Sequence, residues 1–485
     1  MRILFVSAEV SPFAKTGGLG DVAGALPKAL TRAGHEVIVV TPLHRQASAT
    51  IDKLKIGGEW LEPLHVAASN WSFQAGVFRT TLPGDPTPVY FIASDEFFNR
   101  PAVYSNREDG FDDQMERFAF FCHAIVALTI RLGKPIDVVH SHDWHTALLP
   151  VLMRNHLHRD PIFERARSVF TVHNLNYQGS YPARRYNYLG IPAAWWSGGG
   201  VEHFGEINLM KAGIAHSDAI TTVSPTYARE IQTSEFGAGL DGLLRNLSWK
   251  LKGILNGIDE DEWNPAEDPA LVASYDARAL AGKSRCKKAL RKEAGLAQRS
   301  KTPLFGFVSR LVGQKGVDLL IPAIRHIVAL GVQIVILGSG EDHYEAALEA
   351  LAARESHDLK VWTGFDDQLA HRIYAGSDVI LMPSIYEPCG LNQMYALRYG
   401  APPLVRMTGG LIDTVVPFDG SNGETATGFG FHRADAVDLY QTAFIASLAY
   451  RDEKLWRHLQ RNGMEQDFSW NASAREYIKL YAGDS

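Results

Sequence analysis

The stretch MRILFVSAEVSPFAKTGGLGDV, residues 1–22, holds an apolar run from Ile3 to Val6 and a glycine-rich turn from Thr16 to Gly20. A helical pattern follows from Asp21 to about Arg32, and a second apolar run spans Glu36 to Thr41. Short apolar runs bounded by turn residues read as buried strands, and apolar positions three and four apart read as a helix packed on them. Strand, glycine turn, helix and strand open a parallel α/β unit, whose ligands bind at the carboxyl ends of the strands. Asp137 to His140 and Ser168 to Val172 continue the series as short β-rich runs ending in polar residues. Segment 50–115 is less regular, with Pro83, Pro86 and Pro88 close together, and reads as an insertion containing a hairpin.

The second half repeats the scheme. Leu304 to Val308, Gln333 to Leu337, Lys360 to Thr363, Val379 to Met382 and Pro403 to Val405 are predicted strands. Asp318 to Leu330, Asp342 to Arg354 and Leu391 to Tyr399 are predicted helices between them, so the fold class is α/β with two doubly wound units. The turn-rich Leu255-Asn256-Gly257-Ile258-Asp259 suits a linker. The tail, from about Trp456 to Tyr481, reads as helical, and the expected domains are 1–250 and 251–459, with the C-terminal helix, about 460–485, packing back on the first. One tetrapeptide occurs in both halves: Lys15-Thr16-Gly17-Gly18-Leu19 is echoed by Met407-Thr408-Gly409-Gly410-Leu411, each after a strand and before a helix.

Of the 485 residues 46% are hydrophobic and 21% charged, with a net charge of −6, so no basic excess points to nucleic acid. Cys122, Cys286 and Cys389 are far apart and odd in number, which disfavours a disulfide framework or structural zinc and fits a reducing compartment. The run Ile3 to Val6 is shorter than a signal-peptide core, and Phe118 to Ile130 is too short to span a bilayer. A cytoplasmic protein with no membrane partner is expected.

Four sites carry candidate chemistry. At Thr16 to Gly20 glycines allow close backbone approach, the helix start offers N–H groups to an anion, and Lys15 adds a positive charge. The bland reading is a tight turn with a solvated lysine. Arg310 and Lys315, five apart on one strand-to-helix loop, suit a diphosphate, Arg as a fork and Lys as a point charge. Glu387 in Tyr386-Glu387-Pro388-Cys389-Gly390 lies at the mouth of the second sheet, either meeting a sugar or capping a helix. Cys389 has no evident partner base for a nucleophilic role. His140-Ser141-His142-Asp143-Trp144-His145, with His173 further on, contains suitable metal ligands. The same residues also suit hydrogen bonding to a polyol, or packing, with His140 and His142 on one strand face. Trp144 either stacks on a sugar or fills the core.

Together these motifs resemble those of the bacterial glycogen synthases and starch synthases. SAEVSPFAKTGGLGDV, HSHDWH, FTVHNLNYQG, TTVSPTYARE, LNGIDEDEWNP, VSRLVGQKG, SIYEPCGLNQ, TGGLIDTV and DFSW occur in the family's order over essentially the whole chain. The resemblance implies a GT-B fold, two Rossmann-like doubly wound domains facing a deep cleft. It also implies a retaining glycosyltransferase that moves glucose from ADP-glucose to the end of an α-1,4-glucan such as glycogen, with UDP-glucose as the nearest alternative donor. By the same resemblance Lys15, Gly17, Gly18 and Asp21 bind the donor, Arg310 and Lys315 neutralise the departing diphosphate, and Glu387 lies beside the transferred glucose. His173 and Asp143 are then sugar contacts. Asn256, Cys389, Gly390, Leu391, Thr408, Gly409 and Gly410 help fix the donor, and Phe365 offers a base-stacking ring without a hydroxyl. Fixed cations stand in for a metal, so no cofactor and no metal are expected. The alternatives are another glycosyltransferase of the same architecture, a silent glucan-binding protein, and a phosphorylase, for which no specific cofactor lysine is evident.

Overall fold

The computed structural model describes residues 1–68, 70–104 and 112–483, and the statements below refer to those residues. The chain divides into two compact units, Met1–Gly257 together with the C-terminal segment from Trp470, and Ile258–Ser469.

The first unit contains β1 (Arg2–Val6), β2 (Glu36–Pro42), β3 (Glu59–Ala68), β4 (Trp71–Thr81), β5 (Pro88–Ala93), β6 (Val138–His142), β7 (Arg167–Val172), the short β8 (Ser180–Pro182), β9 (Glu202–His203) and β10 (Glu206–Asn208), then β11 (Ala219–Thr222) and β12 (Leu251–Gly253). Nine of these form one sheet in the order β12-β11-β7-β6-β1-β2-β5-β4-β3, while β8, β10 and β9 make a small separate one. Pairing in the large sheet is parallel except along β3-β4-β5. The irregular segment is therefore a true hairpin, β3 with β4, plus a strand of the main sheet, β5, that the sequence pattern missed. Pro88 stands at the first position of β5, where its missing N–H costs little.

The helix Gly18–Arg32 buries Leu19, Val22, Leu26 and Leu30 along one stripe, and Asp21 and Arg32 sit where the helix dipole favours each charge. Burying each large apolar side chain stabilises the unit by about 2 kcal/mol. The tail is split. Trp456, on the helix Glu453–Met464, belongs to the second unit's core, whereas Trp470, Tyr477, Leu480 and Tyr481 of the helix Trp470–Ala482 enter the first. The boundary expected at 250/251 falls instead after Gly257, because β12 pairs with β11 and Ile254 N–H donates to Thr222 O.

The second unit is a six-stranded parallel sheet of β13 (Leu304–Val308), β14 (Gln333–Gly338), β15 (Leu359–Thr363), β16 (Val379–Met382), β17 (Pro403–Arg406) and β18 (Phe429–Phe431). Its order is β15-β14-β13-β16-β17-β18. The chain order reverses between β1 and β6 in the first sheet, which turns back again along β5-β4-β3, and once in the second, between β13 and β16. At such a point neighbouring loops leave in opposite directions and open a crevice at the strands' carboxyl ends. No helix is long and apolar enough to cross a membrane.

Candidate active site

In the first unit, the loop between β1 and the helix at Gly18 leaves the sheet at its order reversal. Val10 and Ala14 close the loop by mutual backbone hydrogen bonds of 3.0 Å. Buried Glu9 then organises the glycine turn. Its carboxylate accepts from Thr16 N–H at 2.5 Å, Thr16 Oγ1 at 2.7 Å, Gly17 N–H at 3.2 Å and the Tyr104 hydroxyl at 2.7 Å. Two amides that the sequence pattern offered to an anion are thus already occupied. Lys15 is not simply solvated either: its Nζ lies 2.7 Å from Asp21 Oδ1. A Cβ built on Gly17 or Gly18 would meet nothing within 4 Å, so a ligand can come up against bare backbone there.

Across the reversal, the end of β6 leads into Asp143, whose φ of 55° and ψ of 179° are rare for a residue with a side chain. Such a conformation costs about 1–3 kcal/mol and persists only where surroundings impose it. Here its N–H donates to Thr171 O at 2.9 Å, and its Oδ1 accepts from His173 N–H at 2.7 Å. Burial pushes the Asp143 carboxyl up to about 7 and drives the His173 imidazole down to about 3, so the ring is neutral at physiological pH. One Asp143 oxygen is therefore committed to the backbone that carries His173.

The histidine cluster does not converge on a point. The His140 and His142 rings lie 4.1 Å apart, and their nitrogens face Tyr481, Thr171 and His173. Among the described residues no group of three or more His, Cys, Asp or Glu side chains could hold a metal ion. Trp144 is core: it is buried against Phe118 at 5.2 Å and His145 at 4.1 Å. Asn256 follows β12 and is buried, with its Oδ1 meeting no protein partner among the described residues. It belongs to the first unit, not the second as the expected boundary had it.

In the second unit, the loops after β13 and β16 are sewn together by Ile385 N–H donating to Gln314 O at 2.8 Å. This brings Lys315 Nζ to 2.6 Å from Glu387 Oε2, an atom that also accepts from Ser384 Oγ at 3.0 Å. Glu387 is buried, so its negative charge is tolerable only because a cation and a hydroxyl meet it. Arg310 is exposed, and among the described residues no carboxylate pairs with it. Gln393 Nε2 donates to Cys389 O at 3.0 Å and Gly390 O at 2.9 Å, fixing the run into Leu391, after which the helix Asn392–Arg398 begins. The Cys389 thiol is buried. Gly410 N–H donates to Glu387 O at 3.1 Å, tying the Thr408-Gly409-Gly410 turn after β17 to the Glu387 loop. Phe365, beyond β15, is 84% exposed and free to stack.

The structure thus groups Lys15, Gly17, Gly18 and Asp21 in one loop and Asp143 with His173 in another of the first unit. It groups Lys315, Glu387, Cys389, Gly390 and Gly410 in the second. Sequence reasoning missed Glu9, Tyr104 and Ser384. A lone carboxylate in the small-residue run SAEVS was the only available signal for Glu9, and nothing marked Tyr104, which lies 95 residues away from it.

The model of the starch synthase catalytic domain matches residues 2–246, and that of glycosyl transferases group 1 matches residues 290–443. The chain is 47% identical over 483 residues to a glycogen synthase of Anaeromyxobacter dehalogenans, covering 99% of each chain. It is 44% identical over 482 residues to the glycogen synthase of Geotalea uraniireducens, covering 99% of this chain and 98% of that one. Among solved structures, the catalytic domain of starch synthase IV from Arabidopsis thaliana, bound to ADP and acarbose, superposes with a TM-score of 0.90 at 37% identity, covering 99% of each chain. With two doubly wound units and these relatives along its whole length, the chain belongs to the glycogen and starch synthase family of retaining, GT-B glycosyltransferases.

Proposed function

We propose that this chain transfers glucose from ADP-glucose to the non-reducing end of an α-1,4-glucan such as glycogen, retaining configuration and releasing ADP in the cytoplasm. The relatives named glycogen synthase and the ADP-bound starch synthase support the donor and acceptor. The observation that carries the mechanism is the Lys315–Glu387 pair, with exposed Arg310 on the same loop after β13, at the reversal point of the second sheet.

Breaking the glucosyl–phosphate bond leaves positive character on the anomeric carbon and negative charge on the nucleoside diphosphate. Arg310 and Lys315 take the anion, and the Glu387 carboxylate lies on the side of the electron-poor sugar. Preorganised donors of this kind contribute about 3–4 kcal/mol each in other enzymes. Lys15, with Asp21, Gly17 and Gly18, contacts the donor, and His173 and Asp143 contact the sugar. Asn256, Phe365, Cys389, Gly390, Leu391, Thr408, Gly409 and Gly410 complete the donor site. Two fixed cations make a metal unnecessary in this reading, and neither nucleic acid nor membrane takes part.

The test is nucleotide release with glycogen as primer and ADP-glucose or UDP-glucose as donor, with and without a chelator. ADP-glucose is expected to be preferred and the chelator to have no effect. Arg310→Ala and Lys315→Ala should each lower kcat by about 10² to 10³. Near-normal turnover in both variants would remove the clamp, and absence of nucleotide release from either donor would remove the function.

A further inference from the structure

The buried histidines on β6 are not explained by metal binding or by direct contact with substrate. His142 Nδ1 lies 2.9 Å from His173 Nε2, so one proton is shared between those two nitrogens. Both rings are neutral, because burial lowers each well below the ordinary histidine value. Two arrangements are open. If His173 Nε2 carries the proton, His142 must carry its own on Nε2, a buried atom with no protein partner among the described residues. If His142 Nδ1 carries it, the atom left bare is an acceptor. An orphaned buried N–H is the rarer and costlier defect, so the second arrangement is favoured. The remaining proton of His173 then sits on Nδ1, which has no protein partner among the described residues.

The His142 ring is also held in place. Phe5 lies on it at 4.3 Å and His140 at 4.1 Å. His140 is pinned at both nitrogens, Nδ1 by the Tyr481 hydroxyl at 2.7 Å and Nε2 by Thr171 Oγ1 at 2.7 Å. Thr171 Oγ1 in turn meets Thr221 Oγ1 at 2.5 Å. Tyr481 comes from the helix Trp470–Ala482, so the end of the chain reaches into this array.

We propose that His142 is a positioning residue that fixes the tautomer of His173, holding its proton on Nδ1 as a hydrogen-bond donor for the sugar, with His140 and Tyr481 locking the His142 ring. The proposal rests on the reading of His173 as a sugar contact. A donor held in one tautomer costs nothing to reorient when the substrate arrives, which is the sense in which such a ring is preorganised.

The test has a spectroscopic and a kinetic arm. With 15N-histidine labelling, and His173 assigned by its loss in His173→Ala, the ring nitrogens of the full chain should show Nδ1 protonated and Nε2 bare. His142→Leu keeps the bulk but removes the donor, and should shift that pattern and lower kcat about ten- to a hundredfold. His142→Asn leaves an amide near the position of Nδ1 and should recover most of the loss. A wild-type spectrum with the proton on Nε2 overturns the proposal, even if the leucine variant fails to fold. So do equal kcat values for the leucine and asparagine variants. Full kcat in His173→Ala removes instead the reading on which the proposal stands.

Discussion

The tetrapeptide Thr-Gly-Gly-Leu does different work in its two places. At Gly17 and Gly18 an added Cβ meets open space, and what shapes the turn is the Glu9 carboxylate beneath it. At Gly409 the backbone has φ 48° and ψ −135°, and a Cβ on Gly410 would fall 2.2 Å from Cys389 O. There the glycines are required by packing, since they let the turn press on the loop that carries Glu387. The units that hold the turns differ as well. The first has an array of buried histidines under its site, whereas the core of the second is aliphatic and aromatic around β13 and β14. Identical residues after a strand can thus leave an open backbone face in one unit and make a close backbone contact in the other.

The largest effect that would sharpen this comparison is acid sensitivity. Burial lowers His44 to about 4 and His173 to about 3, and takes His140, His142 and His145 well below 6.5. Between pH 6.5 and about 4 the unfolded chain binds these protons and the folded unit does not, so stability falls as pH falls. Asp143, raised to about 7 from 3.8, and Glu116, also raised by burial, work in the opposite sense over that range, but they are two groups against these five. Each uncompensated proton removes about 1.4 kcal/mol per pH unit. In the second unit Lys283, lowered to about 7, alters stability only between pH 7 and its ordinary 10.5. Hydrogen exchange followed from pH 7 to 5 should show peptides of the first unit losing protection first. Simultaneous loss in both units would break the comparison.

Next in size is a glycine exchange. Gly410→Ala forces a side chain into a backbone carbonyl and is expected to cost about 3 kcal/mol or more, read as a lower melting temperature. Gly17→Ala and Gly18→Ala should change stability by less than about 0.5 kcal/mol, while raising KM for the donor. Equal melting temperatures for all three variants would show that the two turns do the same job after all. The smallest effect is at Lys15. Its pair with Asp21 is largely exposed, so Asp21→Asn should move stability by no more than about 0.5 kcal/mol. A loss of several degrees in melting temperature would mean that the first turn, too, is held by packing.

Much of the fold was legible along the chain. The helix Asp342–Arg354 and the strands Leu304–Val308 and Val379–Met382 stand where apolar periodicity puts them, because each signal is local. β11 and β12 escaped notice because Ala219–Thr222 is half threonine and Leu251–Gly253 is three residues long. Their strand character comes from pairing with neighbours distant in sequence, and the same pairing moved the expected boundary past Asn256. The tail read as one helical stretch, yet Trp456 and Trp470 enter different cores.

For the site, residue types and spacing were enough to nominate Lys15, Arg310, Lys315, Glu387 and the histidines as candidates. Sequence alone also settled that glycine turns follow strands in two doubly wound halves, since turn chemistry and periodicity act over a few residues. Only the tertiary structure decided who meets whom: Lys315 with Glu387 across 72 positions, Tyr104 with Glu9 across 95, and Tyr481 with His140 across 341. The first forms because sheet order brings the carboxyl ends of remote strands side by side, and the others because a helix and a loop remote in sequence pack against the sheet; no local property of the chain encodes those neighbourhoods.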